Sequence, residues 1–427
     1  MLRSWVVVVV LFVMVNGAFG AEPASQVPAV VVPTIAAPPI GLGESGFYLG
    51  SVESGFQLRL RGVVQVDGRD YPNDTELASS DGFLIRRARP IIEGTVVQFI
   101  DFRIMPDFGQ GQAVLYDAFV DVQPIRAIGF RAGKEKSPFG LERSQAEQSL
   151  TFVERGLPGD LAPDRDIGAS IHGEVASVAS YEVGIFDGAP DGNSVDLDNN
   201  GAKDVDARLF LHPLAPLHIP AIEKIGIGGA VTAGRENGTP GSPSLAPYKT
   251  AGQITFFSYS SDSPATAATV VASGDRFRYM PQANAYVGPV GVFAEYVGER
   301  VNVSRSGRSA ALENHAWQAA TSVVVTGEAA GFNGVNPKRP LGSHGYGAVE
   351  LGARIEGLDV DPKSFPSYAD PSKSAQRARA FATEVNWYLN RNTKFATQFE
   401  RTSFTGGAKG GNRAPEYDLI GRFQVFF

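Results

Sequence analysis

The feature that most constrains this chain is its end. Residues Glu416 to Phe427 read EYDLIGRFQVFF. Tyr417, Leu419, Gly421, Phe423, Val425 and Phe427 share one face, apolar at every position but Gly421. Glu416, Asp418, Ile420, Arg422, Gln424 and Phe426 share the other, which is mostly polar. A period of two is that of a strand with one greasy side and one wet side. So apolar a strand at the carboxyl terminus needs a partner on each edge. A barrel closed within a membrane provides both, because its last strand pairs with its first. The expectation is an all-β fold, a transmembrane antiparallel β-barrel of sixteen strands, with long extracellular loops and short periplasmic turns.

The remaining segments agree. From Gly55, "GFQLRLRGVVQV" places Phe56, Leu58, Leu60, Val64 and Val66 opposite Gln57, Arg59, Arg61 and Gln65. Similar segments recur at Phe83–Val96, Phe99–Phe108, Ala113–Val122, Arg126–Gly133, Asp166–Ala176, Tyr181–Asp187 and Asp204–His212. Others are Lys224–Gly234, Gly252–Tyr259, Arg276–Val287, Val290–Gly298, Trp317–Glu328, Gly345–Glu356, Arg379–Leu389 and Thr393–Phe404. With the terminal strand these make seventeen candidates. Single-chain barrels of this kind have even strand numbers, and Gly252–Tyr259, in Ser/Pro-rich surroundings, is the weakest. Short links (Gln98, Gly109–Gln112, Gln123–Ile125, Asn390–Asn392) are set against long ones (Lys134–Arg165, Gly188–Lys203, Arg235–Ala251). Soluble sandwiches lack that bias in loop length.

The amino terminus supplies an address. Arg3, the apolar run Trp5 to Val15 and Ala18-Phe19-Gly20 have the layout of a signal peptide over residues 1–20, cleaved before Ala21. The run is too short for a transmembrane helix. Residues 21–54 begin with five prolines and are expected to form a periplasmic segment ahead of a barrel domain at 55–427. The 38 basic residues are outnumbered by 45 acidic ones, which argues against a nucleic-acid partner. Cysteine is absent, so no disulfide supports the exported chain.

Several motifs point to one family. They are "FLIRRARPIIEGTV" (Phe83–Val96), "DFRIMPDFG" (Asp101–Gly109), "LYDAFVDV" (Leu115–Val122), "GKEKSPFGLER" and "FVERGLP…APDRDIG". Later come "ARLFLHPL" (Ala207–Leu214), "YVGPVGVFAEYV" (Tyr286–Val297) and "NWYLNRNTK" (Asn386–Lys394). Over about residues 55–427 the chain resembles the phosphate-selective porin O and P family. The resemblance implies a sixteen-stranded barrel, usually a homotrimer in outer-membrane lipid. It also implies a third loop folded inward and basic residues that guide small inorganic anions such as phosphate.

Alternation selects the residues that could do this. Arg59, Arg61, Arg87, Arg89, Arg103, Arg131 and Arg208 are predicted to face the lumen. A cation facing lipid near mid-depth would cost about 2–4 kcal/mol. Arg86 breaks the pattern and should lie at an interface or in a bulge. Lys134 and Lys136, at the mouth of the long loop, are the nearby candidates for the lysines the family uses to bind phosphate. Guanidinium forks suit phosphate-like oxygens, but Glu93, Asp101, Asp107, Asp117 and Asp121 fall on the same faces. Structural pairing, or a transverse field in a general non-selective pore, therefore stays open. So does a plugged structural or adhesive barrel, and the long loop reads equally as inward-folded or as surface.

The chemistry of enzymes is thinly represented. The five histidines show no HExxH spacing and no GxSxG turn is present. "VDLDNNGAKDVD" places Asp196, Asp198, Asn200, Gly201 and Asp204 at calcium-loop spacings, yet it lacks the closing glutamate. A turn-rich loop is the better reading. No cofactor, metal or catalytic role is expected.

Overall fold

A computed structural model describes residues 40–427, apart from 44, 45, 52, 54, 73–80, 195, 197–200, 221 and 343. The expected signal peptide, the stretch 21–39 and much of the calcium-like motif lie outside the described residues.

Sixteen antiparallel strands form the wall. They are β1 (Phe56–Asp70), β2 (Gly82–Val96), β3 (Ile100–Asp107), β4 (Val114–Ile125), β5 (Ile128–Lys136), β6 (Arg165–Val175), β7 (Ala179–Phe186) and β8 (Asp204–Leu211). The second half comprises β9 (Gly226–Asn237), β10 (Val271–Val287), β11 (Val290–Arg305), β12 (Arg308–Val324), β13 (Ala348–Asp359), β14 (Ala375–Asn390), β15 (Thr393–Ala408) and β16 (Glu416–Phe426). Each pairs with the next, and β16 closes on β1 from Leu419↔Asp70 to Phe426↔Val63. Closure gives every strand two partners and leaves no edge in the wall.

The alternation read from the sequence is the alternation of the wall. Val64, Val66, Ile85, Ile104, Val120, Ile171 and Phe423 are exposed on the outside. Gln65, Asp67, Arg87, Arg89, Glu93, Arg422 and Gln424 point inward and are buried. Arg86 sits in a bulge: Gln65 opposes Arg87 and Val66 opposes Ile85, so Arg86 is the unpaired extra residue. A bulge re-aims a side chain, and Arg86 turns inward beside Arg87.

Three expectations need correction. Gly252–Tyr259 is not a wall strand. Only Thr255–Phe257 is extended, and it pairs with Tyr248–Lys249 inside the connection 238–270. Among the described residues the sheet already includes Ile40, upstream of the expected start at Gly55. Ile40–Gly43 and Gly46–Ser51 form a hairpin whose second strand pairs with Phe56–Leu60 of β1. The reason is geometric, since β16 reaches only Val63 and the lower part of β1 would otherwise be a bare edge. Finally, loop lengths do not alternate strictly. The turn end carries the long connections 212–225 and 325–347, and the loop end carries the two-residue link 306–307.

The terminus is fixed closely. Phe427 N donates to Gly62 O at 3.1 Å, and Gly62 N donates to Phe427 O at 2.9 Å. A Cβ on Gly62 would stand 2.7 Å from the Phe427 ring, so a side chain here would push that ring aside.

One side of the interior is filled by apolar packing. Phe139, Leu157 and Leu161 of the connection 137–164 meet Tyr248, Phe256 and Phe257 of 238–270. Both lie against Val297, Val301, Leu312, Leu358 and Phe404 on the wall. Each fully buried phenylalanine contributes about 1.5–3 kcal/mol. From the other end, Ala330 and Val335 of 325–347 pack on Val324, Ala348 and Tyr388. Gln145 Nε2 donates to Phe332 O at 2.8 Å, which joins the two connections.

Candidate functional site

The connection 137–164 lies along the inward faces of β11 and β13–β16, and its main chain is satisfied by wall side chains. Leu141 N donates to Glu295 at 2.7 Å, Leu157 N to Glu356 at 2.8 Å and Val153 N to Gln398 at 2.9 Å. Lys394 donates to Leu150 O at 2.8 Å, Asn386 to Thr151 O at 2.7 Å and Arg354 to Glu154 O at 3.0 Å. Arg422 donates to Val153 O. An irregular segment in an enclosed interior needs such partners, since unpaired buried polar groups are costly.

Opposite it, β1–β8 carry the arginines singled out in the sequence, and cavities lie between. The central one holds about 640 Å³ and is lined by Arg61, Arg89, Arg103, Arg131, Lys136, Arg165 and Arg208. Four carboxylates share it: Asp117, Glu135, Glu147 and Glu182. Toward the turns, a cavity of about 360 Å³ shares Arg131, Glu182 and Arg208 with it. Toward the loops, one of about 330 Å³ shares Arg89, Glu147 and Arg165. The three thus form a stacked series along one wall.

Most of these cations are held by acids. Glu93 takes Arg103 at 2.8 Å, Arg61 at 3.1 Å and Arg59 at 3.8 Å. Arg131 meets Asp121 at 2.6 Å and Glu135 at 2.7 Å. Two carboxylates come from the connection 137–164 itself. Glu147 has Arg89 at 3.1 Å, Arg165 at 3.2 Å, Arg155 at 3.5 Å and Lys136 at 3.7 Å. Glu154 has Arg86 at 2.6 Å, Arg422 at 2.7 Å, Arg69 at 3.1 Å and Arg87 at 3.8 Å. Burial alone would push both carboxyls up. Their cationic neighbours outweigh it and hold each well below the usual range, Lys136 and Arg89 chiefly at Glu147, Arg86 and Arg422 at Glu154.

Aromatic rings order the guanidiniums. Arg89 and Arg165 lie over Tyr116 at 4.0 and 4.5 Å, and Arg131 and Arg103 over Phe119 at 4.7 and 5.9 Å. Arg208 differs from the rest. It donates to Gln282 at 3.2 Å and stacks on Phe210 at 5.1 Å, with no carboxylate within ion-pair distance among the described residues.

Of the residues singled out in the sequence, Arg61, Arg89, Arg103, Arg131, Lys136 and Arg208 line the central cavity and Arg87 the loop-end one. Arg59 lies next to Glu93, 35% exposed. Lys134 does not join them. It is buried and meets Asp196 of the connection 187–203 instead of the central cavity. The sequence reading missed Arg143, Arg155, Glu147 and Glu154, because nothing local shows which way a charged loop folds. Arg165 it also missed, though "APDRDIG" was in view.

Three comparisons place these features among known proteins. The profile of the family described as phosphate-selective porin O and P matches residues 56–403. No curated protein sequence matches the chain. Among solved structures, a loop L8 deletion mutant of OmpT, an outer membrane protein of Vibrio cholerae, superposes with TM-score 0.56 at 9% identity, covering 87% of this chain and 100% of its own. OmpT in a trimer form gives 0.54, again at 9%, 87% and 100%. An anion-selective porin from Comamonas acidovorans gives 0.52 at 12%, with 87% and 100% covered. At such identities the shared property is the fold.

Proposed function

The chain belongs to the phosphate-selective porin O and P family and is an outer-membrane porin, and from that premise we propose that it conducts small inorganic anions, phosphate among them. The route follows the three cavities beside β1–β8, narrowed by the connection 137–164. Seven cations against four carboxylates in the central cavity carry this reading. Partly paired guanidiniums keep N–H groups for an anion's oxygens, and Arg208, though opposite Glu182, is in direct ion-pair contact with no carboxylate among the described residues. Arg59, Arg61, Arg87, Arg89, Arg103, Arg131, Lys136 and Arg208 would pass the ion along, and Lys134 would act from outside the row. Residues 1–20 would be removed on export. The OmpT trimer form supports a homotrimer as the assembly.

Reversal potentials across a planar bilayer under a potassium chloride gradient test the sign. The expected result is anion preference, with added phosphate reducing chloride current. Cation preference would remove the anion reading and leave the pore. The apolar filling of one side favours a second reading, a plugged structural barrel. Folded protein that gives no single-channel steps would decide for it.

A further inference from the structure

The outer surface of the barrel is not uniform. On β1–β8 no arginine of the described residues is exposed on the outward face. On β11–β15 four arginines point outward: Arg300, Arg377, Arg379 and Arg401. The strand pairings make them one arc. Arg300 opposes Glu313, Asp359 opposes both His315 and Arg377, Gly357 opposes Arg379, and Phe381 opposes Arg401.

Height places the arc at a headgroup. Val290, at the turn end of β11, and Trp387, at the turn end of β14, are each ten residues from Arg300 and Arg377. Ten tilted residues climb roughly 23 Å, the height of the apolar band. Aromatic side chains lie just below the cations. Tyr279, Tyr296 and His315 stack at 6.1 and 6.0 Å, and Trp317 packs under Arg379 at 5.9 Å. Such rings mark the boundary between hydrocarbon and water.

Charge on the arc is not balanced: Glu313 and Asp359 stand against four guanidiniums. Asp359 takes Arg377 and Arg379 together, each at 2.7 Å, so one carboxylate answers two guanidiniums. The Arg300 guanidinium is exposed and has no hydrogen bond or ion pair among the described residues. Among the described residues Arg401 meets the Tyr417 hydroxyl at 3.3 Å and its ring at 5.9 Å, and no carboxylate.

We propose that the outward arc of Arg300, Arg377, Arg379 and Arg401 is a binding site for a phosphate-bearing glycolipid of the outer leaflet. The guanidiniums take its phosphate oxygens, and its acyl chains lie on the apolar face below. Planar forks suit phosphate, and long arginine stems reach upward from the hydrocarbon edge.

The test adds diphosphoryl lipid A to the full-length mature protein in mixed micelles and reads bound lipid by native mass spectrometry. The wild type is expected to retain it and to lose it when both phosphates are removed. The triple variant Arg300→Gln, Arg377→Gln, Arg379→Gln is expected to bind roughly a hundredfold more weakly, with unchanged single-channel conductance. If the triple variant does not fold, Arg300→Gln alone, at a side chain outside any ion pair among the described residues, is expected to bind about fivefold more weakly. Equal retention of the dephosphorylated lipid, or undiminished binding by the variant, would overturn the site. So would displacement of the lipid by millimolar inorganic phosphate, or loss of the oligomer in the variant without lipid, which would make the arc an interface between copies. None of these outcomes bears on conductance, so this site and the proposed pore fail separately.

Discussion

Glu154 and Arg422 lie 2.7 Å apart, with Glu154 on the inward connection and Arg422 on the closing strand. The pair ties the segment that fills the pore to the seam that shuts the barrel. Arg422 also holds Asp67 of β1, at 2.6 Å. One guanidinium thus bridges the first strand, the last strand and the loop.

Removing one partner of such a buried pair costs about 3–5 kcal/mol, since the other charge stays uncompensated. Glu154→Gln leaves Arg69, Arg86, Arg87 and Arg422 around a neutral amide. The unfolding midpoint in denaturant is expected to drop, and single-channel current to become noisier as the connection loosens. An unchanged midpoint would mean that the cluster is satisfied without its centre.

Arg208 lies opposite Glu182 but, unlike the other cations of the central cavity, makes no direct ion pair among the described residues. Arg208→Gln is expected to shift the reversal potential toward cations more than Arg103→Gln, whose guanidinium is already shared with Glu93. A larger effect at Arg103 would show that pairing does not set the contribution to permeation.

The acid limb of stability follows from Glu147. An unfolded glutamate titrates near about 4.3, and four cations depress the folded value well below that. The folded state therefore favours the ionised form. Its stabilisation is complete above the unfolded value and drains away as pH falls from there through the folded one. The connection should stay docked through neutral and mildly acidic pH and release only in strong acid. Heat-modified gel mobility against pH measures this, and Glu147→Gln is expected to flatten the acid limb.

Gly62→Ala introduces a methyl group 2.7 Å from the Phe427 ring. Displacing that ring costs about 1–3 kcal/mol and strains the two main-chain bonds of the terminus. Lower refolding yield into detergent is expected, with normal conductance from the fraction that folds. Wild-type yield would mean that the ring swings aside freely.

How far the sequence carries depends on the range of each signal. Leu419, Phe423 and Ile104 announce their outward faces within a few residues, because alternation is local. Even the irregularity at Arg86 was legible, since two adjacent arginines cannot both face water from a regular strand. Phe139 and Phe152 could be noted but not assigned, because their partners lie on distant wall strands. Glu147 and Glu154 had the same difficulty, their four cations each being spread across the chain. Lys134 misled because it is close in sequence to the loop, and closeness does not decide what a side chain meets. The short segment GFYLGS, with two glycines, is too brief for its period to stand out.

The seam at β1 sets the order of events in biogenesis. Its upper half waits for residues 419–426, which lie beyond every other wall strand in sequence. Its lower half is taken early by 47–51, only a few positions away. Within the barrel, the lower half of β1 is therefore closed by a local pairing and the upper half only by a distant one. A truncated polypeptide would remain an open curl with one half-protected margin, available to a chaperone or to a neighbouring chain.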